Sequence, residues 1–77
     1  MKKLLKEYEL NSHVQYYEMI VDSIINGQRT QAKELFSAMP KRWRIDCLMW
    51  LMIITDENEI HINFISNQDF FILLHLI

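Results

Sequence analysis

The sequence predicts a mainly α-helical fold, a small bundle of four to five short helices, and three observations carry that expectation. Apolar residues recur at helical spacing through the N-terminal half. The single glycine and the single proline fall at the ends of those periodic stretches, not inside them. The longest apolar run, Cys47 to Ile54, is rich in leucine, methionine and tryptophan and lacks valine, which favours a buried helix over a strand. After Asp56 the pattern changes, so an α+β arrangement with a β-hairpin at the C-terminal end is the alternative.

Leu4, Leu5 and Tyr8 sit at helical spacing among lysine and glutamate and predict a short first helix. A helix this short is marginal alone, so it needs a neighbour to lean on. Asn11 or Ser12 can cap the second helix, and Ser12 with Gln15 has capping-box spacing. Val14, Tyr17, Val21 and Ile24 form its apolar stripe, Gln15, Glu18, Asp22 and Asn26 its polar one, and Asn26-Gly27 supplies a left-handed stop. Thr30 then caps a third helix with Ala32, Leu35, Phe36 and Met39 inward and Lys33, Glu34 and Ser37 outward, ended by Pro40. A connection of a few residues makes these two helices an antiparallel hairpin sharing one apolar seam.

The basic stretch Lys41-Arg42-Trp43-Arg44 opens a central helix that includes the run to Ile54. Asp56-Glu57-Asn58-Glu59 breaks it, and Ile60, Ile62 and Phe64 then alternate with His61 and Asn63, the period of a half-buried strand. Ser66 to Asp69 reads either as a turn into a second strand, Phe70–Ile77, or as the cap of a last helix. Leu73-Leu74 and the helical remainder of the chain tip the balance to the helix.

Tyr17-Glu18-Met19-Ile20, Asn26-Gly27, Ala32-Lys33-Glu34-Leu35-Phe36 and Met39-Pro40 together resemble one helical hairpin of the pentatricopeptide or tetratricopeptide type. In pentatricopeptide proteins such hairpins stack in tandem into a solenoid that binds single-stranded RNA. The resemblance covers about a third of this chain and only one copy is visible, whereas solenoids need about three repeats for stability. It therefore implies the hairpin geometry and no RNA-reading residues.

A chain of 77 residues makes one domain, and a domain of this size hides only about 60% of its unfolded surface. With 51% of its residues apolar, some apolar surface is expected to stay outside. The segment Phe70-Phe71-Ile72-Leu73-Leu74-His75-Leu76-Ile77 demands cover, from the chain's own core or from a second chain. The expected function is therefore that of a small non-enzymatic interaction module, an adaptor or inhibitor that binds a larger protein and itself forms a homodimer. Small chains of this kind are often encoded by viruses or mobile elements. Phe70, Phe71, Leu73, Leu74 and Ile77 are the expected contacts, with Trp50 as a central one.

The alternative is a nucleic-acid-binding regulator. Lys41, Arg42 and Arg44 would hold phosphates and Trp43 would stack on a base, helped by Lys2, Lys3 and Lys6. A net charge of −2 gives no general attraction to nucleic acid or anionic lipid. The blander expectation is that Trp43 packs at the core's edge while its cationic neighbours stay in water.

Chemistry has little visible footing. His13, His61 and His75 are too scattered for zinc-ligand spacing, and Cys47 lies within an apolar run that suits an inert thiol. One glycine cannot build a phosphate-binding loop, and no Gly-x-Ser-x-Gly or His-Glu-x-x-His element occurs. No enzyme activity, metal or cofactor is expected. A lone cysteine, no secretory-type N-terminal pattern and no apolar run near the ~20 residues of a membrane span make the cytoplasm the expected location.

Overall fold

A computed structural model describes residues 1–77. The elements are α1 (Lys2–Glu7), α2 (His13–Ile25), α3 (Arg29–Ala38), α4 (Lys41–Leu51), β1 (Met52–Ile54), β2 (Ile60–Ile62) and α5 (Asn67–Leu74). The class is mainly α, as predicted, with one small antiparallel hairpin set between the last two helices.

Ser12 caps α2: its extended backbone lets Oγ accept the Gln15 N–H at 3.4 Å, and Gln15 Oε1 accepts the Asn11 N–H at 2.6 Å. The box thus closes one residue further out than the standard pattern, so both Asn11 and Ser12 contribute. Tyr16, Tyr17, Ile20, Val21 and Ile24 are buried, while Val14 is only half-buried. The inward face is centred nearer Tyr16 and Ile20 than the predicted stripe. Ser23 is also buried, and its hydroxyl donates back to the Met19 carbonyl at 2.9 Å, which removes the cost of an unpaired polar group there.

At the end of α2, Gly27 adopts φ +77°, its N–H reaches the Ile24 carbonyl at 3.0 Å, and the Gln28 N–H reaches Ser23 at 2.7 Å. These bonds make a Schellman motif, which requires the left-handed residue to be glycine at little strain. Gly27→Ala meets no steric neighbour but must hold that φ, so the variant is expected to lose about 1 kcal/mol in denaturant unfolding. An unchanged midpoint would show that the turn relaxes freely.

The motif returns the chain to helical geometry two residues sooner than predicted. Gln28 occupies the N-cap without a side-chain bond, and Thr30 lies inside the first turn of α3 instead of capping it. Ala32, Leu35, Phe36 and Met39 are buried as expected. Met39 is extended (φ −74°, ψ 146°), as a residue before proline must be, and α4 begins immediately after Pro40.

The central helix ends at Leu51, three residues short of the predicted Ile54. Met52, Ile53 and Ile54 instead pair with Ile62, His61 and Ile60. Two β-branched residues followed by a turn suit a strand once a partner is present. The turn is closed by Thr55 N–H to Glu59 (3.0 Å) and Asn58 N–H to Thr55 (2.9 Å), with Asn58 at φ 59°. The predicted strand at Ile60 is therefore real but stops at Ile62, because Phe64 turns the chain away at φ 70°. Its partner precedes it in sequence, so the alternative hairpin with Phe70–Ile77 is not formed; that segment enters α5.

Ser66 caps α5, with Oγ accepting the Asp69 N–H at 3.1 Å. Asp69 is buried and pairs with Arg29 at 2.8 Å, tying the start of α5 to the start of α3. The hydrogen bond from Arg29 holds the Asp69 carboxyl below the usual carboxylate range, against the opposing pull of burial. A lowered native pKa stabilises the fold at pH values above the ordinary aspartate pKa near 4, and this contribution is lost as pH falls through the native value. Asp69→Asn is accordingly expected to lower Tm at neutral pH, with the difference from wild type shrinking below about pH 4. A difference that stays constant with pH would mean the pair does not act through its charge.

The core is a cluster of 14 buried residues drawn from α2, α3, α4 and α5 plus Met39. α1 has no buried residue; Leu4 and Leu5 lean on the core, and Tyr8 meets Tyr16 edge-on at 5.8 Å.

Candidate functional site

Two helical stripes and one face of the hairpin meet at an uncovered surface. On α4, Ile45, Leu48 and Met49 fall at i, i+3 and i+4, and Met52 continues the stripe into β1. In an antiparallel ladder paired residues share a face, so Met52 with Ile62 and Ile54 with Ile60 point one way, and Ile53 with His61 the other. Phe70, Phe71, Leu74 and Ile77 supply the third side.

These elements enclose an open groove of about 550 Å³ whose lining is apolar except for Asn67. Leu48 and Phe70 form its floor and belong equally to the core. Its walls are far from buried: Met49 is 65%, Ile60 59% and Phe71 57% exposed.

Of the six residues expected from sequence to make contacts, Phe71, Leu74 and Ile77 line the groove and are exposed. Phe70 lines it only from below, at 7% exposure. Leu73 is inside the core, because on α5 it lies roughly opposite Phe71 and faces the other helices. Trp50 is turned away from the groove, stacked on Phe64 at 5.0 Å and set against Tyr17 at 5.7 Å.

The α4 and hairpin walls were not among the expected contacts. The signal for them was the helical spacing of Ile45, Met49 and Met52 through a predicted helix whose run from Cys47 to Ile54 is apolar on every side. Such a helix is normally buried all round, whereas here one side has no covering element.

The basic stretch is accounted for differently. Arg42 places its guanidinium 5.3 Å from the Trp43 ring centre, and the half-buried indole packs against His13 at 5.2 Å and the core. Trp43 is thus engaged by its own chain. Lys41 and Arg42 are exposed, and Arg44 is half-buried with an Nε that finds no acceptor. Asp46, in the same helix, accepts the Tyr17 hydroxyl at 2.7 Å; burial, with this bond adding to it, raises the Tyr17 pKa.

Cys47 is buried, and burial, with Asp46 beside it, pushes its thiol up to about 12. At neutral pH it is a thiol, not the thiolate a nucleophile needs. No group of three or more His, Cys, Asp and Glu side chains gathers closely enough to hold a metal ion, and no helix is long and apolar enough to cross a membrane. Comparison with protein-family models, curated proteins and solved structures returns no match to this chain.

Proposed function

We propose that the chain is a small, non-enzymatic protein-interaction module of the cytoplasm, working as an adaptor or inhibitor through the groove between α4, the hairpin and α5. The observation that carries this is the groove itself: a concave, almost wholly apolar surface with Met49, Ile60 and Phe71 more than half exposed. Water penalises such a surface in proportion to its area, and patches beyond a few hundred Å² usually mark association sites. A channel between two helices and a hairpin accepts an apolar ridge of a protein partner, whether a foreign chain or a second copy of this one.

Met49→Glu tests the proposal. At 65% exposure the new carboxylate stays in water and leaves the fold intact, but any partner seated on the groove must bury it. Partners recovered from the protein's own source cells by the intact chain should be lost with Met49→Glu and kept with Met49→Leu. Partners retained by Met49→Glu would place the interaction elsewhere.

The nucleic-acid alternative has less support, since Trp43 already packs on His13 and carries Arg42 over its ring. Phosphate-driven binding weakens steeply with salt. Low-salt binding of labelled oligonucleotides, abolished by Arg42→Ala with Arg44→Ala, would reverse the ranking.

A further inference from the structure

We infer that the occupant of the groove is a second copy of this chain, docked across a two-fold axis so that each protomer's apolar face covers the other's; this rests on the groove being a protein-binding surface and names its partner.

Area is the first argument. Ile45, Met49, Ile60, Phe71, Leu74 and Ile77 are each 41–65% exposed. Side chains of this size present on the order of 150–200 Å² when free, so the face shows roughly 500 Å² of apolar surface. That is close to a tenth of the chain's 5411 Å². A stable interface covers about 800 Å² per partner, near a tenth of a small protein's surface, and consists of an apolar centre and a polar rim. The face matches that centre.

Charge is the second argument, and it selects the chain itself over a foreign helix. The α4 wall starts in a cationic turn: Lys41 stands one turn before Ile45 on the same stripe, with Arg42 and Arg44 beside it and no acidic residue in that turn. α4 leads directly into the hairpin, whose strands line the groove with Met52, Ile60 and Ile62 and whose turn carries Asp56 and Glu57. Within the fold Arg29 pairs with Asp69 and His61 Nε2 lies 3.5 Å from Glu59, so Lys41, Arg42, Arg44, Asp56 and Glu57 have no charged partner in their own chain. Cations at a helix N-terminus also oppose its dipole and call for a carboxylate.

A two-fold rotation exchanges the ends of a face. It sets the cationic turn of one protomer against the acidic turn of the other, twice, as an isologous interface requires. The face is complementary to itself.

Light scattering on the full chain tests this. The wild type should have twice the 9.4 kDa chain mass, and Met49→Glu should fall to the single-chain mass with an unchanged circular dichroism spectrum. Lys41→Glu with Arg42→Glu, and separately Asp56→Lys with Glu57→Lys, should each raise the dimer dissociation constant roughly tenfold or more. Mixing these two charge-reversed proteins should restore association, because both ends of the mixed dimer are again complementary. A wild type of single-chain mass up to millimolar protein, a dimer indifferent to Met49→Glu, or mixing without restoration would overturn self-pairing. A single-chain wild type that still loses a foreign partner on Met49→Glu would overturn self-pairing and leave the groove as a binding surface.

Discussion

Deletion of residues 70–77 is expected to unfold the chain rather than only release a partner. Phe70 and Leu73 are 7% and 1% exposed and pack with residues of α2, α3 and α4. Without them a cavity opens at the foot of α4 and the Arg29–Asp69 pair loses the helix that positions it. A domain of this length is stable by only ~4–12 kcal/mol. Truncating a buried Phe costs about 3–5 kcal/mol and a buried Leu about 2–5 kcal/mol, so the two together approach the whole stability. Circular dichroism of the truncated chain should show lost helix and no cooperative thermal transition.

Neighbouring leucines on α5 provide the sharper comparison. Leu73→Ala should cost about 2–5 kcal/mol in denaturant unfolding. Leu74 is 41% exposed, so Leu74→Ala in the isolated chain should cost well under that. Equal losses would mean that α5 does not present the inward face described. Leu74→Ala should instead act on association, since Leu74 lines the groove.

Tyr16→Phe is the second large effect expected. The Tyr16 ring is fully buried and its hydroxyl donates to the carbonyl of Leu35. That carbonyl belongs to the last turn of α3, where the Met39 N–H bonds to Phe36 at 3.2 Å and leaves Leu35 without an i+4 amide. A residue nineteen positions away thus satisfies one of the orphan carbonyls at the end of α3. Burial pushes the Tyr16 hydroxyl up to about 12, so it is a protonated donor throughout the physiological range. Phenylalanine keeps the ring and opens no cavity, so the variant isolates the hydrogen bond. A buried acceptor left unpaired costs about 1–3 kcal/mol, and each kcal/mol lowers Tm by about 4–8 °C in a domain this small. A Tm within a degree of wild type would mean that water reaches the Leu35 carbonyl.

Local features of the fold were legible because their causes are local. Ser12 and Gln15 bind amides within three to four residues of themselves. Gly27 supplies a left-handed φ, Pro40 forces Met39 to be extended, and Ser66 bonds the Asp69 amide. Two local signals compete at the start of α3 and at the end of α4, and there the structure departs from the local pattern. Thr30 looked like a cap until the Schellman turn at Gly27 started α3 ahead of it. Ile53 and Ile54 looked helical because the leucine and methionine before them are.

The site was half legible for the same reason. Phe71, Leu74 and Ile77 stood out as apolar residues near the end of a small chain, but their separation from Phe70 and Leu73 depends on how α5 is rotated against α4. Trp50 attracted attention by size, yet Phe64, distant in sequence, claims its face.

The residues alone determined that the chain is mainly helical, where most helices start and stop, and that it carries more apolar surface than one small core can hide. Tertiary structure decided that Met52–Ile54 is a strand, because a strand exists only when another pairs with it, and here the partner is Ile60–Ile62. It also decided which apolar residues are left uncovered. Periodicity marks every residue on an apolar face, but only the packing of α4, α5 and the hairpin sets Leu48 and Leu73 inside and leaves Met49, Ile60 and Phe71 in water.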